Sequence, residues 1–253
     1  MEEQIKVILS LTTVPNRINR STPTTGIGPV IKRLTTLSYD NYEVHLNVPH
    51  TNKKTNEEYI IPEWLVNYSS DKLKIFRTED YGSVTKILPT LKRIDDPEQV
   101  IITVDDDLEY MDGFIEYHME KRKEYPNDAL GFAGIGSIGG DCHLCTTVKK
   151  DIRVKILEGY KTASYKKGFF DDDFEDFATG SWSDDVIISA YLGMNKIKKF
   201  VLHYEHDDDF RPRVESFPVI RILPNEQGGC WLFRKDDIKD NNDLYYKLGY
   251  LER

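Results

Sequence analysis

The run Val100-Ile101-Ile102-Thr103-Val104 ends in three consecutive aspartates, Asp105-Asp106-Asp107. Five β-formers in a row read as a buried strand. Its carboxyl end then carries three acids. Packed carboxylates repel one another unless a cation or hydrogen-bond donors share the site. Their oxygens suit hard divalent ions, Mg²⁺ or Mn²⁺, which keep positions open for phosphate oxygens. In open α/β sheets, ligands bind beyond the carboxyl ends of the strands. Strand, acidic tip and position together point to an α/β fold with a metal–diphosphate site. The competing reading is a solvated acidic turn, which the surrounding segments must outweigh.

The chain has 253 residues, enough for one large α/β domain or one domain with an elaborated C-terminal part. Apolar residues make up 39% and charged residues 30%, which fits a globular, soluble protein. The net charge is −9 and no long Lys/Arg stripe is present, which argues against general nucleic-acid binding. An acidic protein that handles a nucleotide needs a metal to offset repulsion from the phosphates. No signal-peptide pattern follows Met1, and no apolar stretch approaches the roughly 18 residues of a membrane span. Three cysteines fit a reduced, cytoplasmic setting. Cys142 and Cys145 form a C-x-x-C around His143, but a structural zinc site wants two further ligands and only Cys230 remains, so they read as incidental.

The sequence predicts strands over 5–11, 43–48, 72–76, 100–104 and 197–202. It predicts helices over 28–37, 83–94 with a kink at Pro89, 112–124 capped by Asp112, and 183–192. Alternating strands and helices imply a mixed, mainly parallel sheet flanked by helices. After Pro126, glycines 131, 134, 136, 139 and 140 punctuate short strand-like pieces. One compact domain is expected, with a nucleotide half over 1–110 and an acceptor half over 111–253.

Four other segments can carry chemistry. Thr12-Thr13-Val14-Pro15-Asn16-Arg17 follows the first strand, where a ligand would sit, although Thr, Pro and Asn also make ordinary turns. In the stretch from Asp80 to Lys86, Asp80 can accept from a base or ribose and Gly82 permits close backbone approach. Lys86 can reach a phosphate from the first helical turn, but the spacing is not that of a P-loop. In Ser181-Trp182-Ser183-Asp184-Asp185, Ser183 or Asp184 can cap a helix, Trp182 can stack on a sugar, and one acid can act as general base. His203 and His206 can complete a metal shell, or simply lie in a polar loop. His118 shares a helical face with Ile115 and Met119 and reads as core. Asp171-Asp172-Asp173 reads as a helix start or acidic surface.

These segments together resemble the GT-A-fold nucleotide-sugar glycosyltransferases, in the subgroup found in bacteria and large DNA viruses. The family's Thr-Thr-x-Pro-x-Arg is matched by Thr12 to Arg17, its Gly-x-x-x-Lys by Gly82 to Lys86, and its Asp-x-Asp by Asp105 to Asp107. A Leu-x-Gly-Tyr stretch is matched by Leu157 to Tyr160, and a Ser-Asp-Asp helix start by Ser183 to Asp185. The five matches fall in the expected order; the C-terminal part matches none of the family's motifs. The resemblance implies a metal-dependent hexosyl- or pentosyltransferase that moves a sugar from a nucleotide-diphosphate sugar, a UDP-sugar favoured, to a hydroxyl of a glycan acceptor. It assigns the donor to Thr12, Thr13, Pro15, Arg17, Asp80, Gly82, Lys86, Asp105 and Asp106. Mn²⁺ or Mg²⁺ falls to Asp105 and Asp107, with His203 and His206 as the candidates that the residues themselves offer to complete the shell, and the acceptor to Trp182 and Tyr160. One of Asp184 and Asp185 matches the base of an inverting transfer. Asp185 is favoured, because the family's Glu-Asp pair places the base second.

Two other functions fit parts of the same pattern. A sugar-nucleotide nucleotidyltransferase would want a glycine-rich, basic first loop, and residues 12–17 hold no glycine. A non-catalytic, metal-dependent carbohydrate-binding protein would not need a second acid pair far from the first.

Overall fold

The computed structural model describes residues 4–68, 70–138, 144–146, 148–178, 183–204 and 218–222. Trp182, His206 and Cys142 lie outside them. The chain opens with β1 (Val7–Thr12), the short α1 (Pro15–Ile18), α2 (Gly28–Leu34), β2 (Tyr42–Pro49), α3 (Glu63–Val66) and β3 (Leu73–Thr78). A 3₁₀ turn (Gly82–Lys86) and α4 (Leu88–Leu91) lead into β4 (Val100–Thr103), β5 (Leu108–Tyr110) and α5 (Phe114–Glu124). Then come β6 (Ala129–Gly131), β7 (Gly134–Ser137), β8 (Leu144–Cys145), β9 (Ile152–Leu157), a second 3₁₀ turn (Gly159–Lys161) and β10 (Ala163–Lys166). The described part closes with α6 (Phe174–Ala178), α7 (Asp184–Met194), β11 (Lys199–Val201) and β12 (Val219–Ile222).

Among the described residues ten strands form one mixed sheet, in the order β3-β2-β1-β4-β10-β6-β11-β9-β7-β8. β3, β2, β1 and β4 run parallel, with Leu9 opposite Val44 on one side and Ile102 on the other. β10 enters antiparallel between β4 and β6. β11 runs parallel to β6, so the carboxyl ends of β1, β4, β6 and β11 share one edge. The remaining strands of the order, β9, β7 and β8, alternate in direction.

Strand alternation divides the interior in two. Val7, Leu9 and Leu11 of β1, with Val100 and Ile102 of β4, meet α2 through Val30, Ile31 and Leu34 and meet α5 through Phe114 and Ile115. Ile8 and Ile101 face the other way, onto Val84, Ile87, Leu88 and Leu91, and the same core continues to Ile187, Ile188 and Tyr191 of α7. This makes a three-layer, single-domain sheet with helices on both faces. β4 is buried throughout because both cores need it.

Two local expectations are corrected. The predicted helix over 83–94 breaks at Ile87 into a 3₁₀ turn and α4, and Pro89 lies in the first turn of α4. Proline lacks an N–H and suits a first turn, where none is needed. Asp112 does not cap α5; Gly113 does, at φ +82, while the Asp112 carboxylate accepts from the Ser38 N–H at 2.9 Å.

Candidate active site

The site is assembled at the shared carboxyl edge. β1 ends in Thr12, and Pro15 opens α1 with its fixed φ. The Thr12 hydroxyl donates to the Asn47 carbonyl at 2.8 Å and ties β1 to β2. Thr13 and Arg17 turn toward the acids. Thr13 Oγ1 donates to Asp106 Oδ2 at 2.6 Å. The Arg17 guanidinium spans two carboxylates, pairing with Asp106 and, at 2.9 Å, with Asp107. Burial lifts the Asp106 carboxyl above its usual range, with Arg17 and Thr13 opposing. Asp107 is pushed up to about 6 by burial and by the neighbouring Asp106 charge, against the pull of Arg17.

Lys86 joins the two acidic motifs. Its ammonium lies 2.6 Å from Asp105 Oδ1 and 2.7 Å from Asp184 Oδ2. Burial works against that charge, but Asp105, Asp184 and Asp185 outweigh it and hold the Lys86 pKa well above the usual value. Lys86, expected at a phosphate, is in this structure the counter-ion between the acids. Asp80 holds the wall behind it: its oxygens accept from Gly82 N at 2.8 Å, Thr85 Oγ1 at 3.4 Å and Lys53 N at 2.8 Å. Gly82 adopts φ +68, which a side chain would resist.

Asp184 and Asp185 lie in the first turn of α7, where acids are favoured by the helix dipole. Ser183 occupies the cap position, but its side chain makes no capping hydrogen bond. Asp185 Oδ1 accepts from the Gly159 N–H at 2.7 Å. Burial and the Asp184 charge raise the Asp185 carboxyl well above its usual range, with Lys86 and the Gly159 amide opposing. The backbone at 159 comes so close that a Cβ there would lie 3.3 Å from Asp185 Oδ1 and 3.4 Å from Thr103 Oγ1. Tyr110 completes the frame: its hydroxyl accepts from Asp105 N at 2.7 Å and donates to the Tyr160 carbonyl at 3.1 Å. Tyr160 itself is half-buried beside the acids, and the Glu158 and Asp185 charges add to burial in raising its phenol.

His203 does not join this group. Its strand, β11, stands three places from β4 in the sheet, on the order of 14 Å at the usual strand spacing. The His203 ring pairs through Nδ1 with the Val148 carbonyl at 2.5 Å. No cluster of three His, Cys, Asp or Glu side chains suited to a metal occurs among the described residues. Mg²⁺-type ions nevertheless need only one or two carboxylates when substrate phosphates and waters fill the shell. Here five carboxylates, Asp105, Asp106, Asp107, Asp184 and Asp185, face two cations, Arg17 and Lys86. Asp105 Oδ2 and Asp107 Oδ1 accept no hydrogen bond among the described residues. This surplus of hard oxygen donors fits a divalent ion.

Elsewhere, His118 is core, as its helical face indicated: burial drops its pKa to about 3, and Nε2 pairs with Thr162 Oγ1 at 2.8 Å. Cys145 is buried. Asp171, Asp172 and Asp173 are exposed ahead of α6. Sequence reasoning missed one residue of the site, Tyr110. The only signal for Tyr110 was its closeness to the aspartates.

No family model matches this sequence, and no curated protein matches it. Solved structures do. A TarS structure from S. aureus superposes with a TM-score of 0.52 at 15% identity, covering 79% of this chain and 36% of that one. A TarS 1–349 chain gives 0.48 at 13%, covering 77% and 58%. GalNAc-T7, solved with UDP, GalNAc and Mn²⁺, gives 0.55 at 12% identity, covering 80% and 43%. This chain thus spans between about a third and three-fifths of the length of these structures. At such identities the likeness is one of fold, and the chain has the GT-A-like architecture that it shares with TarS and GalNAc-T7.

Proposed function

We propose that this chain is a metal-dependent glycosyltransferase that moves a sugar from a nucleotide-diphosphate sugar, a UDP-sugar favoured, to a hydroxyl of a glycan acceptor with inversion. The observation that carries the reading is Lys86, which brings Asp105 and Asp184, acids far apart in sequence, onto one ammonium at 2.6 and 2.7 Å. A lone acidic turn does not build such a contact across a sheet edge. The fold is also that of a protein solved with UDP, GalNAc and Mn²⁺.

On this reading residues 1–110 hold the donor and 111–253 the acceptor. Asp105 and Asp107 would hold Mn²⁺ or Mg²⁺, which when bound neutralises charge on the leaving nucleotide diphosphate. Thr13 and Arg17 orient Asp106 and Asp107. Lys86 lies where it can pass from the acids to a phosphate. Asp185 takes the proton of the acceptor hydroxyl through its carboxylate, held in place by the Gly159 amide. A raised pKa strengthens it as a base. Asp184, neutralised by Lys86, supports the helix start. Two carboxyls in unlike surroundings divide their roles in this way.

The test is a panel of nucleotide sugars assayed for hydrolysis and transfer with Mn²⁺ and with EDTA. Turnover of a UDP-sugar that EDTA abolishes and Mn²⁺ restores is expected; full activity in EDTA would remove the metal from the reading. Retention of the donor's anomeric configuration in the product would exclude single displacement.

A further inference from the structure

Thr162 holds a backbone conformation that its own side chain opposes. At φ +68 and ψ 135 it lies in a region that β-branched residues avoid. Strain of this kind persists only where the surroundings enforce it, and it gathers at functional sites. Three contacts enforce it here. The His118 ring of α5 pairs through Nε2 with the Thr162 hydroxyl at 2.8 Å, and both residues are fully buried. The Thr162 N–H donates to the Gly159 carbonyl at 3.0 Å and closes the turn over 159–162. The Thr162 carbonyl packs on Gly131, where a Cβ would stand 2.9 Å from it. Burial holds the His118 pKa at about 3, so the ring is neutral and its bond to the hydroxyl does not depend on a titrating charge.

The closed turn presents one backbone group to the second acid pair. Gly159 opens the turn, and its N–H donates to Asp185 Oδ1 at 2.7 Å. The next carbonyl, that of Tyr160, accepts from the Tyr110 hydroxyl at 3.1 Å. Asp184, Lys86 and Glu158 act on Asp185 through their charges, and Gly159 alone bonds to its carboxylate among the described residues. Asp185 Oδ2 accepts no hydrogen bond there, and the residue keeps some contact with solvent. One oxygen is therefore anchored and the other is left open.

We propose that the His118–Thr162 pair positions Asp185: it fixes the turn over 159–162 and, through the Gly159 amide, fixes the carboxylate. The assignment rests on the transferase reading above, in which Asp185 takes the proton of the acceptor hydroxyl. His118 and Thr162 touch no substrate on this reading; they are positioning residues that act through the amide. A turn free to relax would carry that amide away from Oδ1. Misplacing a reacting group by about 1 Å from a remote position can cost on the order of 10²-fold in rate.

Three variants test the pair. Thr162→Val keeps the branched shape without the hydroxyl, and Thr162→Ser keeps the hydroxyl. His118→Phe breaks the same bond from α5 and can pack on Phe132, whose ring lies 5.0 Å from the imidazole. The Gly159 amide proton is followed by NMR, with Asp185→Asn marking its position once the carboxylate is gone. Thr162→Val and His118→Phe should move the signal toward that position, and Thr162→Ser should leave it near the wild-type one. In transfer assays with a UDP-sugar and Mn²⁺, kcat should fall about ten- to a hundred-fold in the first two variants and recover in Thr162→Ser, while the donor KM holds. A Gly159 signal unmoved in Thr162→Val and His118→Phe would overturn the proposal. So would a loss in Thr162→Ser as deep as in Thr162→Val, or a donor KM that worsens along with kcat, since each marks a general loss of structure. If Thr162→Val does not fold, His118→Phe decides. If wild type turns over no nucleotide sugar while the Gly159 signal still responds, the transferase reading falls on its own and the hold of this pair on Asp185 stands.

Discussion

Asp184 and Asp185 are adjacent in sequence and sit in opposite electrostatic surroundings. Asp184 has the Lys86 ammonium at 2.7 Å, whereas burial and Asp184 itself raise Asp185. Asp185→Asn should lower transfer by roughly 10²–10⁴-fold, the share of a general base, while Asp184→Asn costs less. The base must be ionised, so wild-type activity should fall as pH drops through a value above the usual carboxylate pKa of about 4. The sign for stability is opposite. A raised folded pKa favours the neutral form, and that contribution is present below about pH 4 and lost as pH rises through the folded value. Melting Asp185→Asn beside wild type at pH 5 and pH 8 should therefore show the variant gaining at pH 8. A stability difference from wild type that is the same at both pH values would contradict the raised pKa. Lys86→Met should be destabilising by about 3–5 kcal/mol, because it strands buried acids without their partner. A urea titration measures this, and a loss below about 1 kcal/mol would mean that solvent already screens the acids.

β5 is only three residues long, yet its Tyr110 links the aspartate tip to the turn at Tyr160. Tyr110→Phe leaves the Asp105 N–H and the Tyr160 carbonyl without this partner. It should cost about 1–3 kcal/mol in stability and weaken Mn²⁺-dependent UDP binding. Unchanged UDP affinity would make the link structural only. What the sequence disclosed follows from what each element packs against. β1, β2, β3 and β4 were predicted to within about two residues; for β1, β2 and β4, apolar runs buried on both faces leave little choice of position, whereas β3 is a half-exposed edge strand. The helix over 83–94 was overextended, because its apolar spacing continues past Ile87 although the chain breaks there ahead of Pro89. Asp112 looked like a cap, but the Ser38 amide arriving from the end of the α2 region claims it. The aspartate tip was legible because an apolar strand delivers it. The pairing of Lys86 with Asp184 was not, since it depends on how α7 crosses the sheet edge.

At the level of the whole chain, the two cores share β1 and β4, so neither face can unfold without exposing the other. A single cooperative thermal transition is expected, with fluorescence and circular dichroism midpoints coinciding. Two separate transitions would divide the molecule into independent halves. UDP with Mn²⁺ should raise the midpoint, by the equivalent of about 2.7 kcal/mol at a hundred times its Kd, whereas a plain sugar binder would ignore the nucleotide. On the transferase reading, the imbalance of five carboxylates against Arg17 and Lys86 also governs how a donor arrives. A free nucleotide diphosphate meets a repulsive field at the mouth of the site. Repulsion of that kind is screened over about 8 Å at physiological ionic strength and reaches about 30 Å at 0.01 M. Bare UDP should therefore associate faster as salt is added, the reverse of electrostatic steering, while the Mn²⁺ complex of UDP should be nearly indifferent to salt. Stopped-flow association rates at the two ionic strengths would show this difference. Slower association of bare UDP at high salt would mean that cations outside the five acids set the field at the entrance.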